Sequence, residues 1–449
     1  YNLADTFWLG QYSTEALAAI SFAFPMVFLL ISLGIGLSIA GSVLVAQHTG
    51  AGEERQAEFA ASQTMTFSIL ASFVLGAVGF VGVGPFIGLL GASPAVHPLA
   101  TDYMQVISAG LVFMFGFFVF ISLMRGYGDT VTPMIVMFGT VVLNIVLDPF
   151  LIFGFQDNPL FGALGLRALE ASLFAATGYT GSGVGGAAIA TVFSRAIAMA
   201  VGLAILFGGS RGVQIHLSEM APDLSYVRKL VRIGAPASVE VTGRAISINL
   251  MLFIVGLFST TVVAGFGIGI RVLSVIFLPA IAVAQGVETM TGQNIGADEQ
   301  DRAGATNHFA ARALFLVLTG MGVVAFAFAR PIVGVFTIDP DVVDVGTTFL
   351  RTVAPSFGFM GILRAYSGGF RGAGKTLTAA AIGVGTMAGL RLPMAWFAAA
   401  ALGPFGIWVS FAVTNVLGAT MAYLWFRRDT WRDVDIRGGP RGPPVGGDD

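Results

Sequence analysis

The sequence predicts an all-α integral membrane protein with twelve transmembrane helices in two six-helix lobes, related by a pseudo-twofold parallel repeat. Three observations lead to this fold class. The 449 residues are 55% hydrophobic and only 11% charged, whereas soluble domains carry about 25% charged residues. Apolar runs of spanning length, about 20 residues, recur along the chain. Finally, two separate sequence patterns recur at one common spacing.

The first apolar segment, YNLADTFWLG, is too short to cross a bilayer. We expect it to be the second half of a first helix that is N-terminally truncated in this chain. Eleven longer apolar runs follow, at 15–47, 58–82, 101–124, 132–155, 183–209, 234–258, 261–293, 304–329, 340–368, 376–399 and 403–426.

Two windows show that the chain contains an internal repeat. The segment at 45–57 resembles 290–303, and RGYGDT at 125–130 recurs as RGAGKT at 371–376. In both cases equivalent residues, such as Gln47 and Gln293, are 246 positions apart. A shared offset is typical of two similar halves.

Further along, the offset decreases. VGGAAIAT near Gly186 resembles FGIWVS near Gly406, which is 220 positions later. The difference of 26 residues predicts an extra polar, glycine-rich loop at 156–183 on the outer side of the first half.

These boundaries predict the domain organisation. An N-terminal lobe (1–209, with the insertion 156–183) precedes a basic cytoplasmic linker (210–233) and a C-terminal lobe (234–427). The Gly/Pro-rich tail, 428–449, is expected to be disordered and cytoplasmic. In transporters such halves carry the substrate site between or within them.

Basic residues are concentrated in the connections on one side of the predicted bundle. Arg125, Arg228, Arg371 and Arg427 are examples, whereas Arg167 and Arg330 lie on the other side. Cytoplasmic connections are the basic ones. We therefore expect a multi-pass protein of the cell membrane with both termini in the cytoplasm.

Two motifs match those of enzymes, but the sequence around each motif does not support an enzymatic role. GFRGAGKT at 369–376 has the spacing of a nucleotide-binding loop, but that loop needs a preceding strand, and here a membrane helix precedes it. The repeated part is only R-G-x-G-x-T, a turn whose Arg125 and Arg371 would cap helices or lie at lipid headgroups. GYGD at 126–129 matches intramembrane aspartyl proteases, yet Asp129 lies in a basic turn and is replaced by Lys375 in the repeat.

Composition excludes several other classes of protein. The chain has no Cys and four scattered His, which excludes disulfides and thiolate sites and disfavours His-based metal sites. A net charge of −2 gives no basis for a nucleic-acid partner. We expect no nucleotide and no cofactor.

Charged residues inside spans are functional candidates because burying them in lipid is costly. Asp5 in the first helix and Asp148 in LNIVLDP are predicted at similar depth, Asn144 shares a helix face with Asp148, and Thr191 lies at comparable depth on the sixth helix. Oxygen ligands of this kind suit a hard cation such as Na⁺. Two close carboxylates equally favour a bound proton, and a purely structural role as helix caps stays open.

The repeat does not preserve these groups. At the 246-residue offset Asp5 corresponds to Met251, Asn144 to Leu390 and Asp148 to Met394, and the second half instead carries Arg271 and Arg391. The halves are thus predicted to share a scaffold and to differ in chemistry. Glu288, near the inner end of the eighth helix, suits either a functional role or a structural hydrogen bond.

The chain resembles the multidrug and toxic compound extrusion (MATE) family, and within it the archaeal members of the DinF-like branch. The motifs that resemble it are YNLAD, LAAISFAFP, the R-G-x-G-D turn, LNIVLDP, V-G-G-A-A-x-A-T and E-x-x-x-G-Q. The resemblance implies alternating access, with Asp5, Asn144, Asp148 and Thr191 as the cation or proton site. It also places Tyr1 and Asn2 near that site or the substrate cavity, where we add Glu288 and Arg391.

These features predict a monomeric H⁺- or Na⁺-coupled antiporter, not an enzyme, that exports amphipathic drugs or metabolites and contacts membrane lipid. Two alternatives stay open. One is a lipid-linked oligosaccharide flippase of the same superfamily, whose cavity should be strongly basic. The other is the intramembrane protease that would use Asp129.

Overall fold

The computed structural model describes residues 2–432 and residue 436, and the regular elements in these residues are helical. We number the α-helices in chain order. The first nine are Asn2–Tyr12 (α1), Thr14–Gly50 (α2), Glu54–Leu89 (α3), Val96–Ala109 (α4), Leu111–Tyr127 (α5), Val131–Phe153 (α6), Pro159–Ala163 (α7), Arg167–Thr177 (α8) and Gly183–Gly208 (α9).

The remaining α-helices follow after residue 223. They are Leu224–Val255 (α10), Thr260–Gly296 (α11), Gln300–Ala327 (α12), Ala329–Gly334 (α13), Pro340–Val353 (α14), Phe357–Gly372 (α15), Thr376–Val384 (α16), Leu392–Leu402 (α17) and Pro404–Phe426 (α18). A π-helical segment, Gly385–Arg391, joins α16 to α17, and a 3₁₀ turn, Ala354–Ser356, joins α14 to α15.

The helices coincide with the predicted apolar runs. Within the described residues, nine segments are long and apolar enough to cross a membrane, and α4 with α5, bent by 52°, makes a tenth. The predicted run 340–368 forms α14 and α15, and the short first segment forms α1. The all-helical membrane fold and the order of its segments are confirmed.

Three boundaries differ from prediction. Residues 156–183 contain α7 and α8 rather than only a loop, and Asn158 caps α7 by accepting a hydrogen bond from Leu160 N (3.0 Å). Helix α10 begins at Leu224, inside the predicted linker. Trp431, in the predicted disordered tail, is fully buried and stacks on Phe426 (centroids 4.7 Å apart); the rest of that prediction, at 433–435 and 437–449, lies outside the described residues.

The described helices pack into two compact units. The first unit contains the residues up to 42 together with 58–253 and 383–392, and the second contains 43–57, 254–382 and the residues from 393. In the first, α6 and α9 pack closely and α1 contacts both. In the second, the buried Trp408 ring lies 5.7 Å from Phe266 and 4.9 Å from Phe349.

One feature of the repeat is visible in the geometry of each unit. In the first unit a Cβ added at Gly126 would overlap the carbonyl oxygen of Ser42. In the second unit a Cβ at Gly372 would overlap the carbonyl oxygen of Glu288. Gly372 and Glu288 are each 246 positions after their counterparts, so the two halves use the same close helix contact at the same place.

The ends of α2 and α11 make a reciprocal contact within the second unit. A Cβ at Gly50 would overlap the carbonyl of Gln293, and a Cβ at Gly296 would overlap the carbonyl of Gln47. Since Gly50 corresponds to Gly296 and Gln47 to Gln293 in the repeat, each half supplies the same glycine and the same carbonyl. This is the isologous pattern of a twofold axis.

Asp129 has a structural role at the start of α6. Its Oδ1 accepts hydrogen bonds from Val131 N and Thr132 N, both at 2.9 Å. Although desolvation by burial opposes the effect, the hydrogen bonds from Thr132 and from the N–H of Val131 hold the pKa of Asp129 below its usual range. The carboxylate that the protease alternative needs is therefore a helix cap.

We predict that Gly296→Ala lowers the Tm of the purified protein in detergent, because its Cβ would collide with backbone. Overpacking a close contact typically costs about 1–3 kcal/mol. Gly286→Ala is the matched control on α11, since its Cβ would meet nothing within 4 Å, and its Tm should not fall. Equal Tm values for both variants would contradict the close contact.

We also predict that Asp129→Ala lowers stability by about 1 kcal/mol, the usual contribution of a lost helix cap. Because the folded-state pKa lies below the ordinary value, this contribution is complete above a pH of about 4 and is lost as the pH falls through the folded-state pKa. The Tm difference between variant and parent should therefore shrink in acid. A difference that grows in acid would show that Asp129 does not act as an ionised cap.

Candidate cation site

Three helices of the first unit bring the predicted site residues together. Asp5 lies on α1, Asn144 and Asp148 lie one turn apart on α6, and Thr191 lies on α9. All four are buried; Asp148 is not exposed at all, and Asp5, the most exposed, is at 4%. A set of polar residues this deep in apolar helices must be stabilised locally or by a ligand.

Asn144 connects the two sides of the cluster. Its Nδ2 donates to Asp148 Oδ1 at 3.1 Å and lies 3.5 Å from Thr191 Oγ1. The first bond follows from the four-residue spacing, which places the two side chains on one helix face. The second joins α6 to α9.

Asp5 completes the cluster from α1. Its side chain lies within hydrogen-bonding contact of Asp148 and of Thr191. Two ionised carboxylates in direct contact repel strongly in a medium of low dielectric. A proton or a cation between them removes that repulsion.

Three oxygens of the cluster remain without a hydrogen-bond donor in the described part of the chain. They are Asp5 Oδ1, Asn144 Oδ1 and Asp148 Oδ2, all buried. Leaving a buried acceptor unsatisfied costs about 1–3 kcal/mol, and more for a charged group. Carboxylate, amide and hydroxyl oxygens are hard ligands that fit Na⁺ and also fit a proton. The described residues contain no group of three or more His, Cys, Asp or Glu that would suit a transition metal.

The insertion fixes the end of the helix that carries Asp148. Pro149 follows Asp148, and Asn158 Nδ2 donates to the carbonyls of Pro149 and Gly154, both at 2.8 Å. Gly186 on α9 packs so closely on α6 that a Cβ there would overlap the Leu151 carbonyl. The C-terminal end of α6 is thus held from two sides, which orients Asp148.

A small cavity of about 140 Å³ adjoins the cluster, and its wall includes Asp5, Thr191, Phe28 and Tyr103. One water occupies about 30 Å³ in the liquid, so the cavity has room for an ion with a few waters. Drug-sized molecules need about 300–1,000 Å³. The cavity is therefore large enough for a small hydrated ion and too small for a drug-sized molecule.

Arg195 is a site residue that the sequence analysis missed. It lies one turn after Thr191 on α9, it is buried, its guanidinium lies 5.0 Å from the centre of the Phe117 ring, and its charge acts on Asp5. A signal was present, since an arginine inside the apolar run 183–209 is itself an intramembrane charge.

The other predicted site residues lie elsewhere. Glu288 forms a buried ion pair with Arg371 (2.8 Å) in the second unit. Arg371 is itself buried, so its guanidinium does not lie at lipid headgroups. Arg391 is buried in the π-helical segment of the first unit. Tyr1 lies outside the described residues, and Asn2 begins α1 with no described side chain.

Comparisons with known proteins agree with this fold. The MatE family model matches residues 1–150 and 236–397. The FAD transporter of Shewanella oneidensis is 27% identical over 95% of this chain and 90% of its own length. The multidrug export protein MepA of Staphylococcus aureus is 24% identical over 94% of this chain and 88% of its own length.

Solved structures share the architecture. A mutant of the MATE transporter VcmN of Vibrio cholerae superposes with a TM-score of 0.85 at 22% identity, covering 97% of this chain and 93% of that one. An outward-facing MATE family transporter of the MOP superfamily gives a TM-score of 0.81 at 23% identity, over 96% and 91% of the two chains.

The sequence relatives named here are bacterial and lend no support to the archaeal DinF-like branch. The family model, in contrast, covers well over half of the chain, in two blocks that each take in most of one half. The chain therefore belongs to the MatE family and is a membrane transporter, not an enzyme.

Proposed function

We propose that this chain is a cation-coupled antiporter that exports amphipathic drugs or metabolites by alternating access. The observation that carries the proposal is the set of three buried oxygens without donors, on Asp5, Asn144 and Asp148. Burying two acids without donors is unfavourable, and binding of a cation or proton relieves this unfavourable free energy. Binding and release of the ion can therefore drive a conformational change.

The mechanism that we propose uses the difference between the loaded and the empty cluster. When the cluster is empty, repulsion between Asp5 and Asp148 favours separation of α1 from α6. A bound cation or proton neutralises the pair and favours their contact. An ion that binds one arrangement more tightly shifts the population toward it, and a compound bound to the other arrangement is then released.

The cluster could bind either H⁺ or Na⁺, and the two ions would require different residues. A proton needs only the carboxylates of Asp5 and Asp148. Na⁺ needs additional oxygen ligands, which Asn144 Oδ1 and Thr191 Oγ1 supply. Replacing Asn144 or Thr191 should therefore weaken transport coupled to Na⁺ and leave transport coupled to H⁺ largely unchanged.

For the exported compound, the cavity beside Asp5 is too small, so we propose a separate larger site that forms during transport. Relative motion of the lobes predicted at 1–209 and 234–427 would open it in turn to each side. We keep Tyr1, Asn2 and Arg391 as proposed contacts, whereas the ion pair with Arg371 favours a structural role for Glu288. We further propose a monomer in the cell membrane with both termini cytoplasmic.

We predict that Asp148→Asn abolishes gradient-driven dye efflux in proteoliposomes, because the amide can neither take up a proton nor balance a cation. Efflux is measured first under a pH gradient and then under a Na⁺ gradient. Asp102→Asn, an acid near the start of the bent α4–α5 pair, is the control and should transport normally. Normal efflux by Asp148→Asn would remove this carboxylate from the mechanism.

We predict that Thr191→Val raises the half-saturating Na⁺ concentration about tenfold if Na⁺ is the coupling ion, since losing one ligand of ~1.4 kcal/mol is a factor of ten. Proton-driven efflux should change little. Thr140→Val on α6 is the matched control, because its hydroxyl already donates to Met137 O (3.0 Å). Equal Na⁺ dependence in both variants would contradict a Na⁺ ligand at Thr191.

A further inference from the structure

The second unit contains a cleft of about 890 Å³ that no step of the proposed mechanism uses. Its walls come from three helices: α12 between His308 and Leu316, α15 between Phe359 and Tyr366, and α18 from Ala419 to its C-terminal cap Arg427. This is within the range of pockets that hold drug-sized molecules, about 300–1,000 Å³. The cleft is therefore large enough for a headgroup with part of a hydrocarbon chain.

The polar lining of the cleft is cationic. Arg312 and Arg427 both line it, and among the residues that the structure describes no acidic side chain belongs to the lining. The guanidinium of Arg427 lies 5.7 Å from the centre of the Tyr423 ring, and the described residues supply neither arginine with an ion pair. Asp429 lies close by, but its carboxylate bonds to Arg432 (2.9 Å).

The remaining walls are apolar and continue onto an apolar surface. Phe315 and Phe359 line the interior. At its edge, the lining residue Leu316 is 70% exposed. Outside the cleft, Phe309 on α12 is 74% exposed and Leu424 on α18 is 53% exposed. In a membrane protein, exposed apolar side chains of this kind face hydrocarbon. A ligand of the cleft would thus meet positive charge at one point and lipid chains at another.

The corresponding groove of the first unit is filled by the chain itself. There Gln63 Nε2 donates to the carbonyls of Glu219 (2.6 Å) and Ala221 (2.8 Å), and Thr66 Oγ1 donates to the carbonyl of Met220 (3.0 Å). Neutral amide and hydroxyl groups suit peptide carbonyls.

The repeat changes both donors in the second unit. At the 246-residue offset, Gln63 corresponds to Phe309 and Thr66 to Arg312. An exposed phenyl ring replaces the amide, and a guanidinium replaces the hydroxyl. The groove of the first unit binds the backbone of the chain's own segment 219–221, whereas the side chains at the equivalent positions of the second unit are suited to an anionic lipid.

We propose that the α12–α15–α18 cleft binds an anionic membrane phospholipid. Arg312 and Arg427 contact the phosphate oxygens, since guanidinium groups match phosphate geometry, and an acyl chain lies along Phe315 and Phe359. Basic pockets between membrane helices are suited to anionic headgroups. The proposal does not depend on the coupling ion.

The test is thermal unfolding of the purified full chain in detergent with added phosphatidylglycerol, compared with phosphatidylcholine of the same chain length. A ligand that binds only the folded state raises the Tm with its concentration. We expect phosphatidylglycerol to raise the Tm more than phosphatidylcholine does. In Arg312→Gln/Arg427→Gln, apparent affinity for phosphatidylglycerol should fall about tenfold for each arginine removed.

Two further variants separate this site from general charge effects. Arg302→Gln removes an arginine from α12 outside the cleft lining and should keep the full response. Thr420→Phe fills the cleft and leaves both arginines, so it should lose the response even if the double variant folds poorly. An equal response in the parent protein and in Thr420→Phe would overturn the proposal.

Two other outcomes would also overturn it. If soluble glycerol phosphate raises the Tm as much as the lipid at equal concentration, the site binds a free phosphate ester. If the lipid response appears only after residues 437–449 are deleted, the chain's own segment occupies the cleft in the full protein.

Discussion

The low dielectric constant of the membrane interior is the constraint on which this structure depends. Polar groups in such a medium are stabilised by partners within the protein, and the buried charges follow this rule. Glu288 pairs with Arg371, and Arg195 lies over the Phe117 ring. Asp5 and Asp148 differ from these pairs, since the two acids lie in contact and each retains a buried oxygen without a donor. The difference is informative because the rest of the scaffold makes it costly.

Much of this arrangement follows from the sequence, for physical reasons. Helices that cross lipid need long apolar runs, so α2, α6 and α11 could be located without a structure. Asp148 and Asn144 could be placed on one face because helical spacing fixes it. The burial of Arg371 could not be predicted, because it depends on Glu288, 83 positions away. Helices α7 and α8 were missed because the glycines of 156–183 indicated a loop, although 159–177 is largely apolar, and Arg195 was overlooked inside an apolar run.

The two halves show how a shared scaffold can acquire different chemistry. Gly126 and Gly372 make the same close contact, yet the residue contacted is Ser42 in one half and Glu288 in the other. The groove on α3 binds a peptide through Gln63 and Thr66, whereas the equivalent positions on α12 are Phe309 and Arg312. Backbone geometry is retained and side chains diverge, so a similar fold in the two halves does not imply similar ligands.

The reciprocal contact between α2 and α11 has a consequence for how this chain can evolve. Gly50 and Gly296 each pack against a main-chain carbonyl, that of Gln293 or Gln47. A clash between two side chains can be relieved by shortening either one, but every residue carries the same carbonyl. No second-site substitution at Gln47 or Gln293 can therefore restore a chain that has lost one of these glycines. We therefore expect Gly50 and Gly296 to stay glycine while residues elsewhere in the two halves change.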